Sequence, residues 1–248
     1  MPTMRDNIMK FSVVIPARNE EKVIGGCLDA IRAAAVPYPG DVEVIVVLNR
    51  CTDSTESIAR NAGAKLVRDD SKCLARIRNA GARAATGDIL VTVDADSRMS
   101  PNMLAKIDAA LGSGRFIGGG VPVIPERRSV GILLSEFLLW LGLLGTGLAA
   151  GLFWCRRSDF DAVGGFNEKL LVGEDLDLAK RLRAHGRRQG KRFKLLWGTY
   201  ILTSCRKFDR FGDWFAVRMF LLRPGDIFRA IKGTDREFAD RYFYDFEH

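Results

Sequence analysis

Short runs of consecutive apolar residues alternate, over the first hundred positions, with stretches in which apolar residues recur every three or four. Phe11–Ile15, Val42–Leu48, Ala64–Val67 and Ile89–Val93 are runs of the first kind; Ile24, Cys27, Leu28 and Ile31, and then Leu74, Ile77, Gly81 and Ala84, mark the second. Continuous Val/Ile runs between turn residues describe strands buried on both faces, and the wider spacing describes helices with one buried face. Strand and helix in alternation predict an α/β fold with a mostly parallel central sheet flanked by helices. Helix starts are expected at Asn19, ahead of Glu20 and Glu21, and at Asp53, three residues before Glu56 and so at capping-box spacing. Ligands of such sheets collect beyond the carboxyl ends of the strands, which directs attention to Pro16–Glu20, Asn49–Asp53 and Asp94–Asp96.

After Pro101 the pattern predicts a helix over Asn102–Leu111, a short strand ending in Gly118–Gly120, and then an apolar segment, Ile132–Trp154, in which Glu136 is the one charge. Its 23 residues are long enough for a membrane span. Arginines flank both ends, at 127–128 and 156–157, so no orientation bias results, and a crossing would separate Asp94 and Asp96 from Glu174 and Asp175. A buried helix followed by a strand near Gly151–Arg156 is therefore expected, with a membrane-facing or acceptor-lining helix as the alternative. Residues 1–205 read as one domain and 206–248 as a basic, aromatic-rich helical extension.

The 248 residues are 47% hydrophobic and carry a net charge of +8, which excludes a disordered chain and raises the question of an anionic partner. Residues 1–125 hold sixteen Lys and Arg against fourteen Asp and Glu, whereas 180–210 hold eleven against one. The surplus follows the Glu174-Asp175 pair in sequence and is expected beside it, facing phosphate or a lipid surface; no nucleic-acid-binding motif accompanies it. Five cysteines without a C-x-x-C and two histidines leave no zinc ligand set and no disulfide framework. A reducing, cytoplasmic setting is expected, at the inner face of a membrane if the apolar segment faces lipid.

Asp94-Ala95-Asp96 follows the strand Ile89–Val93 directly. Alternation along an extended chain aims both carboxylates to one side, and paired hard oxygens suit Mg²⁺ or Mn²⁺ held jointly with a phosphorylated substrate. With this pair in place, an ordered set of motifs resembles family 2 glycosyltransferases of the GT-A fold. The set is Val13-Val14-Ile15-Pro16-Ala17-Arg18-Asn19-Glu20, Val44–Asp53, Arg78-Asn79-Ala80-Gly81 with Ala85-Thr86-Gly87-Asp88, Asp94-Ala95-Asp96, and Gly164-Gly165-Phe166 leading to Glu174-Asp175.

The resemblance implies a nucleotide-sugar-binding and catalytic domain over 1–205 that transfers a sugar from a UDP- or GDP-sugar to an acceptor hydroxyl, with inversion and a divalent metal. It implies that Pro16, Ala17, Arg18 and Glu20 hold the nucleoside and that Arg78 lies near the base or diphosphate. Asp96 with Asp94 would hold the metal. Asp175 of the Glu174-Asp175 pair would be the general base, and Arg206 and Lys207 would stabilise the leaving diphosphate. Where the family carries acidic residues after the second strand, this chain has Leu48 and Asn49, so Asn49 is expected to read the base by its amide. The acceptor is open; the apolar segment and the tail with Trp214, Phe215, Met219, Phe220 and Leu221 suggest a lipid-linked one and a peripheral membrane contact. A nucleotidyltransferase, whose first-strand loop is usually glycine-rich, and a non-catalytic nucleotide-sugar binder are the alternatives.

Overall fold

A computed structural model describes residues 9–144, 152–170 and 172–222. The first half comprises β1 (Phe11–Ala17), α1 (Ile24–Ala35), β2 (Val42–Leu48), α2 (Thr55–Asn61), β3 (Lys65–Arg68), α3 (Leu74–Ala84), β4 (Ile89–Thr92), β5 (Ser97–Met99) and α4 (Met103–Gly112). There follow β6 (Phe116–Gly120), β7 (Val123–Pro125), α5 (Val130–Leu144), β8 (Phe153–Arg156), α6 (Arg157–Ala162), α7 (Glu174–Arg188), β9 (Arg192–Leu195), β10 (Ile201–Thr203), α8 (Arg206–Phe211) and α9 (Phe215–Leu222).

Seven strands form the central sheet in the order β3-β2-β1-β4-β8-β6-β9. β1 to β4 run parallel, β9 runs parallel to β6, and β8 is antiparallel to both its neighbours. The Val/Ile runs are buried on both faces: Val13, Ile15 and Val46 pack with α1, α2 and α4, while Val14, Ile45 and Val47 pack with α3, α6 and α7. Because β2 and β3 lie to one side of β1 and β4 to the other, the chain reverses its order between β1 and β4, and their carboxyl ends open a crevice. A second sheet, β5-β10-β7, lies just beyond the end of β4.

The apolar segment divides. α5 takes its first part, residues 145–151 lie outside the described residues, and β8 enters the middle of the central sheet. Among the described residues no helix is long and apolar enough to cross a membrane. Trp154 of β8 is wholly buried and donates its indole N–H to the Gly120 carbonyl at 3.3 Å. The glycine run is what admits it: a Cβ on Gly119 would lie 2.6 Å from the Trp154 ring and 1.8 Å from the Lys194 carbonyl oxygen.

Two helix starts differ from the sequence expectation. α1 begins at Ile24, and Asn19 is instead a left-handed residue (φ 50) whose Oδ1 accepts the Thr52 N–H at 2.8 Å, a conformation that Asn tolerates better than most. Asp53 makes no capping box, since Glu56 turns to Arg60 and Arg68. Its Oδ1 accepts the Thr55 N–H at 2.9 Å and its Oδ2 the Glu21 N–H at 3.0 Å, while Glu21 Oε2 accepts the Ser54 N–H at 3.0 Å. The loops after β1 and β2 are thereby cross-tied.

The motif from Arg78 to Asp88 is a packing device as well. A Cβ on Gly81 would stand 2.3 Å from Val14 Cγ1 and 2.8 Å from Val47 Cγ2, so only glycine lets α3 lie this close to the sheet. The turn that follows is held by Glu43 Oε1, which accepts from the Thr86 N–H at 2.5 Å and the Ser12 hydroxyl at 2.5 Å. These bonds hold the Glu43 carboxyl below its usual range despite the opposing effect of burial. Gly81→Ala should destabilise the chain by about 1–3 kcal/mol in urea titration, and the Val14→Ala change should offset part of that loss. A fully additive double mutant would show that this contact does not set the helix position.

Candidate active site

The side chain that organises the crevice is Arg78. It projects from α3, only 4% exposed, and its guanidinium reaches three carboxylates: Nη2 donates to Asp94 Oδ1 at 2.8 Å, and Nη1 donates to Glu174 Oε1 and Asp175 Oδ1, each at 2.7 Å. The neighbouring Asn79 fixes the approach of the second pair. Its amide donates to the Phe166 carbonyl and accepts the Phe166 N–H, both at 2.9 Å, which pins the Gly164-Gly165-Phe166 turn. The Phe166 ring in turn lies 5.6 Å from the Arg78 guanidinium carbon, a cation–π distance. Gly173, left-handed at φ 81, then starts α7 with Glu174 and Asp175 in its first turn.

A second arginine holds the other carboxylates. β10 pairs antiparallel with β5, Thr203 opposite Ser97, and the Ser204 N–H donates to the Asp96 carbonyl at 3.2 Å. This register brings the start of α8 over the strand-end aspartates. Arg206 Nη2 lies 2.8 Å from Glu20 Oε2 and 3.2 Å from Asp96 Oδ2, so two carboxylates from separate strand ends converge on one cationic nitrogen.

Pro16, Ala17, Arg18, Glu20, Asn49, Asp94, Asp96, Arg206 and Lys207, all singled out from the sequence, line one cleft. Arg50, within the Asn49–Asp53 loop but not singled out there, lines it too, as do Leu74 and Ile77, which were not foreseen. The signal for Arg50 was its place in the loop after the second strand, where it is a non-glycine residue with φ 51. Asn49 is engaged otherwise than expected: 3% exposed, it donates to the carbonyls of Asp69 at 2.5 Å and Ser71 at 2.8 Å, and its Oδ1 accepts from Arg50 Nε at 3.2 Å. Its amide thus ties β2 to the loop before α3. His185, well along α7, lies 3.4 Å from Asp159 and away from the cleft.

Crowding of carboxylates in a buried place shifts their ionisation. Burial pushes Glu20 up to about 7, with Asp96 and Asp94 adding to the rise and Arg206 opposing it. Burial and the adjacent Asp175 raise Glu174 to about 7 against the pull of Arg78. Asp175 and Asp96 are raised in the same sense, first by burial and then by Asp94. For Asp175 burial and Asp94 prevail over the pull of Arg78, and the upward direction is the one that proton transfer needs.

The family model for Glycosyl transferase family 2 matches residues 12–163, more than half of the chain. The chain belongs to glycosyltransferase family 2. It is 34% identical over 135 residues to an uncharacterised glycosyltransferase of Mycobacterium bovis, a match that covers 54% of this chain and 55% of that protein. The chain thus spans about half the length of that relative. Among solved structures it is similar to a mannosyltransferase from Pyrobaculum calidifontis in complex with GDP-Man and Mn²⁺ (17% identity, 98% of this chain and 77% of that one, TM-score 0.63). It is also similar to glucosyl-3-phosphoglycerate synthase from Mycobacterium tuberculosis in complex with Mn²⁺, UDP and phosphoglyceric acid (22% identity, 88% and 79%, TM-score 0.58). These likenesses establish the GT-A fold.

In this family 2 chain the basic surplus is placed differently from the sequence expectation. α7 begins at the carboxylates and runs 15 residues, about 20 Å, away from them. Arg187, Arg188 and Lys191 therefore sit toward the opposite edge of the sheet, where Arg192 donates its N–H to the Arg115 carbonyl. Of the eleven basic residues in 180–210, eight lie between 180 and 194, and only Arg206 and Lys207 line the cleft. Spacing along the sequence misled because a helix converts it into distance.

A carboxylate whose folded value is raised binds its proton more tightly in the folded than in the unfolded chain, so its contribution is present below about pH 4.5 and is lost as the pH rises to about 7. In chelator and without nucleotide, Glu20→Gln should therefore gain on wild type by about 2–3 kcal/mol between about pH 5 and pH 7.5 and by nothing further above. A wild-type-to-variant difference that is flat with pH would contradict this assignment.

Proposed function

We propose that the chain transfers a sugar from a nucleoside-diphosphate sugar to an acceptor hydroxyl in one displacement with inversion at the anomeric carbon. The observation that carries this reading is the single ion network in which Arg78 joins Asp94, at the end of β4, to Asp175, at the start of α7. It ties Asp94, taken here as the diphosphate-side carboxylate, and Asp175, taken as the base, to one guanidinium, which supports their serving one reaction.

Among the described residues no three His, Cys, Asp or Glu side chains converge to hold a metal unaided. The residues fit a cation that completes its shell with substrate oxygens. Glu20, Asp94 and Asp96 line the cleft together, and Arg206 Nη2, 2.8 Å from Glu20 and 3.2 Å from Asp96, marks where two of these carboxylates already meet positive charge. Mg²⁺ or Mn²⁺ held by Asp96 and Asp94 would offset the charge developing on the leaving diphosphate. The Mn²⁺ complexes of the two structural relatives named above support the same reading.

The remaining roles belong to the chain's own groups. The loop Pro16–Glu20 holds the nucleoside, with Glu20 toward the ribose hydroxyls. Arg206 and Lys207 donate to diphosphate oxygens as the bond from the anomeric carbon to the β-phosphate oxygen breaks. The acceptor oxygen forms the new bond from the opposite side and passes its proton to Asp175. Asn49 acts by shaping the loop beside the base instead of reading the base itself, and the nucleoside is uridine or guanosine, as in the relatives' complexes.

With a nucleotide sugar and Mn²⁺, Asp175→Asn should lower kcat by about 10²–10⁴-fold while leaving the nucleoside-diphosphate thermal shift in place. Asp96→Ala should abolish the part of that shift that depends on Mn²⁺. Near-wild-type turnover by Asp175→Asn would remove Asp175 as the base.

A further inference from the structure

α5 is apolar nearly all round, with Ser135 and Glu136 its only polar side chains, and a helix of that composition has to be covered on every side. The domain covers one side: Ile132 and Ser135 are buried, Gly131 lies against the backbone of Asp213, and α9 packs along it. The other side faces outward. Val130 (73% exposed), Leu133 (48%), Leu134 and Phe137 (51%) follow the spacing of a single stripe, and Trp214 and Leu221 are exposed in and just before α9.

The charge beside this face is net positive: Arg127, Arg128, Arg210 and Arg218 stand against Asp209, Asp213 and Glu136. Arg128, Arg210 and Arg218 are exposed around it, while Asp209 and Asp213 are paired with Arg127 and burial raises the Glu136 carboxyl toward its neutral form. Two copies meeting through this face would set these arginines against one another, whereas an anionic surface complements them. A single crossing does not fit, because Ile132 at the start of α5 is buried in the same domain to which β8 returns the chain at the centre of the sheet.

We propose that the outward face of α5 and α9 docks on an anionic lipid bilayer, lying in its interface with the aliphatic stripe and Trp214 inserted and Arg128 and Arg218 among the headgroups. Because α8 begins at Arg206 in the cleft and is tied by Asp209 to Arg127, the docked face borders the mouth of the cleft.

The test is co-sedimentation of the full chain with vesicles of phosphatidylcholine alone and of phosphatidylcholine mixed equally with phosphatidylglycerol. The chain should pellet with the anionic vesicles and not the neutral ones, and less so as salt is raised. Val130→Glu with Leu133→Glu, and separately Arg128→Ala with Arg218→Ala, should each weaken partitioning by more than about tenfold, with circular dichroism unchanged because all four side chains are on the surface. Absence of pelleting with anionic vesicles at low salt overturns the proposal, as does pelleting that neither double variant weakens. So does a solution dimer that the glutamate pair dissolves, since the face would then be a contact between copies. None of these readouts depends on sugar transfer.

Discussion

A guanidinium that cannot lose its proton and is 4% exposed must be surrounded by negative charge, and this requirement on Arg78 governs the rest of the site. Its three partners lie 16, 96 and 97 residues away in sequence. Removing any one leaves the others overcharged or the arginine undercharged, so the end of β4 and the start of α7 are positioned as a unit. Close packing makes the arrangement possible: Gly81 lets α3 lie on the sheet, Asn79 holds the turn before α7, and Phe166 covers the guanidinium face.

The same crowding makes the site electrostatically unfinished. Glu20 and Glu174 are raised to about 7 because burial and neighbouring carboxylates disfavour a further negative charge. Arg206 answers part of that excess from outside the central sheet, and it does so from α8, whose position depends on three residues of β10 paired between β5 and β7. Strain is concentrated at the same rim. Asn19 and Arg50, at the ends of adjacent parallel strands, are the two non-glycine residues with positive φ among the described residues.

Much of the sheet was legible because buried parallel strands read as unbroken Val/Ile runs, and strand direction alone then placed Asp94, Asp96 and the Pro16–Glu20 loop at one edge. What could not be read was anything decided by the approach of distant segments. Arg78 was expected near the base or diphosphate, but the three carboxylates that hold its guanidinium come from the end of β4 and the start of α7, and no spacing along the sequence announces them. Asn49 looked available to a ligand, but the loop at 69–71 passes close enough to take both its amide hydrogens. Asn19 and Asp53 carried the residue types of helix caps, yet Asn19 serves the loop at Thr52, and Asp53 divides its two oxygens between the first residue of α2 and the loop at Glu21. The basic stretch after Asp175 was correctly counted but misplaced, because α7 carries it across the full depth of the sheet.

The place of β8 also imposes an order on assembly. β1 to β4 are contiguous in the sheet and complete by Thr92, so they can pair as soon as that length of chain exists. β6 and β9 have no hydrogen bonds to them except through β8, whose residues come more than thirty positions after β6. On a ribosome, where the chain emerges from its N-terminus, β6 must therefore wait with both edges unsatisfied while the most apolar stretch of the sequence is made. Trp154, seated in the glycine run, closes the first of these edges and joins the half of the molecule that carries Glu20 to the half that carries Asp175.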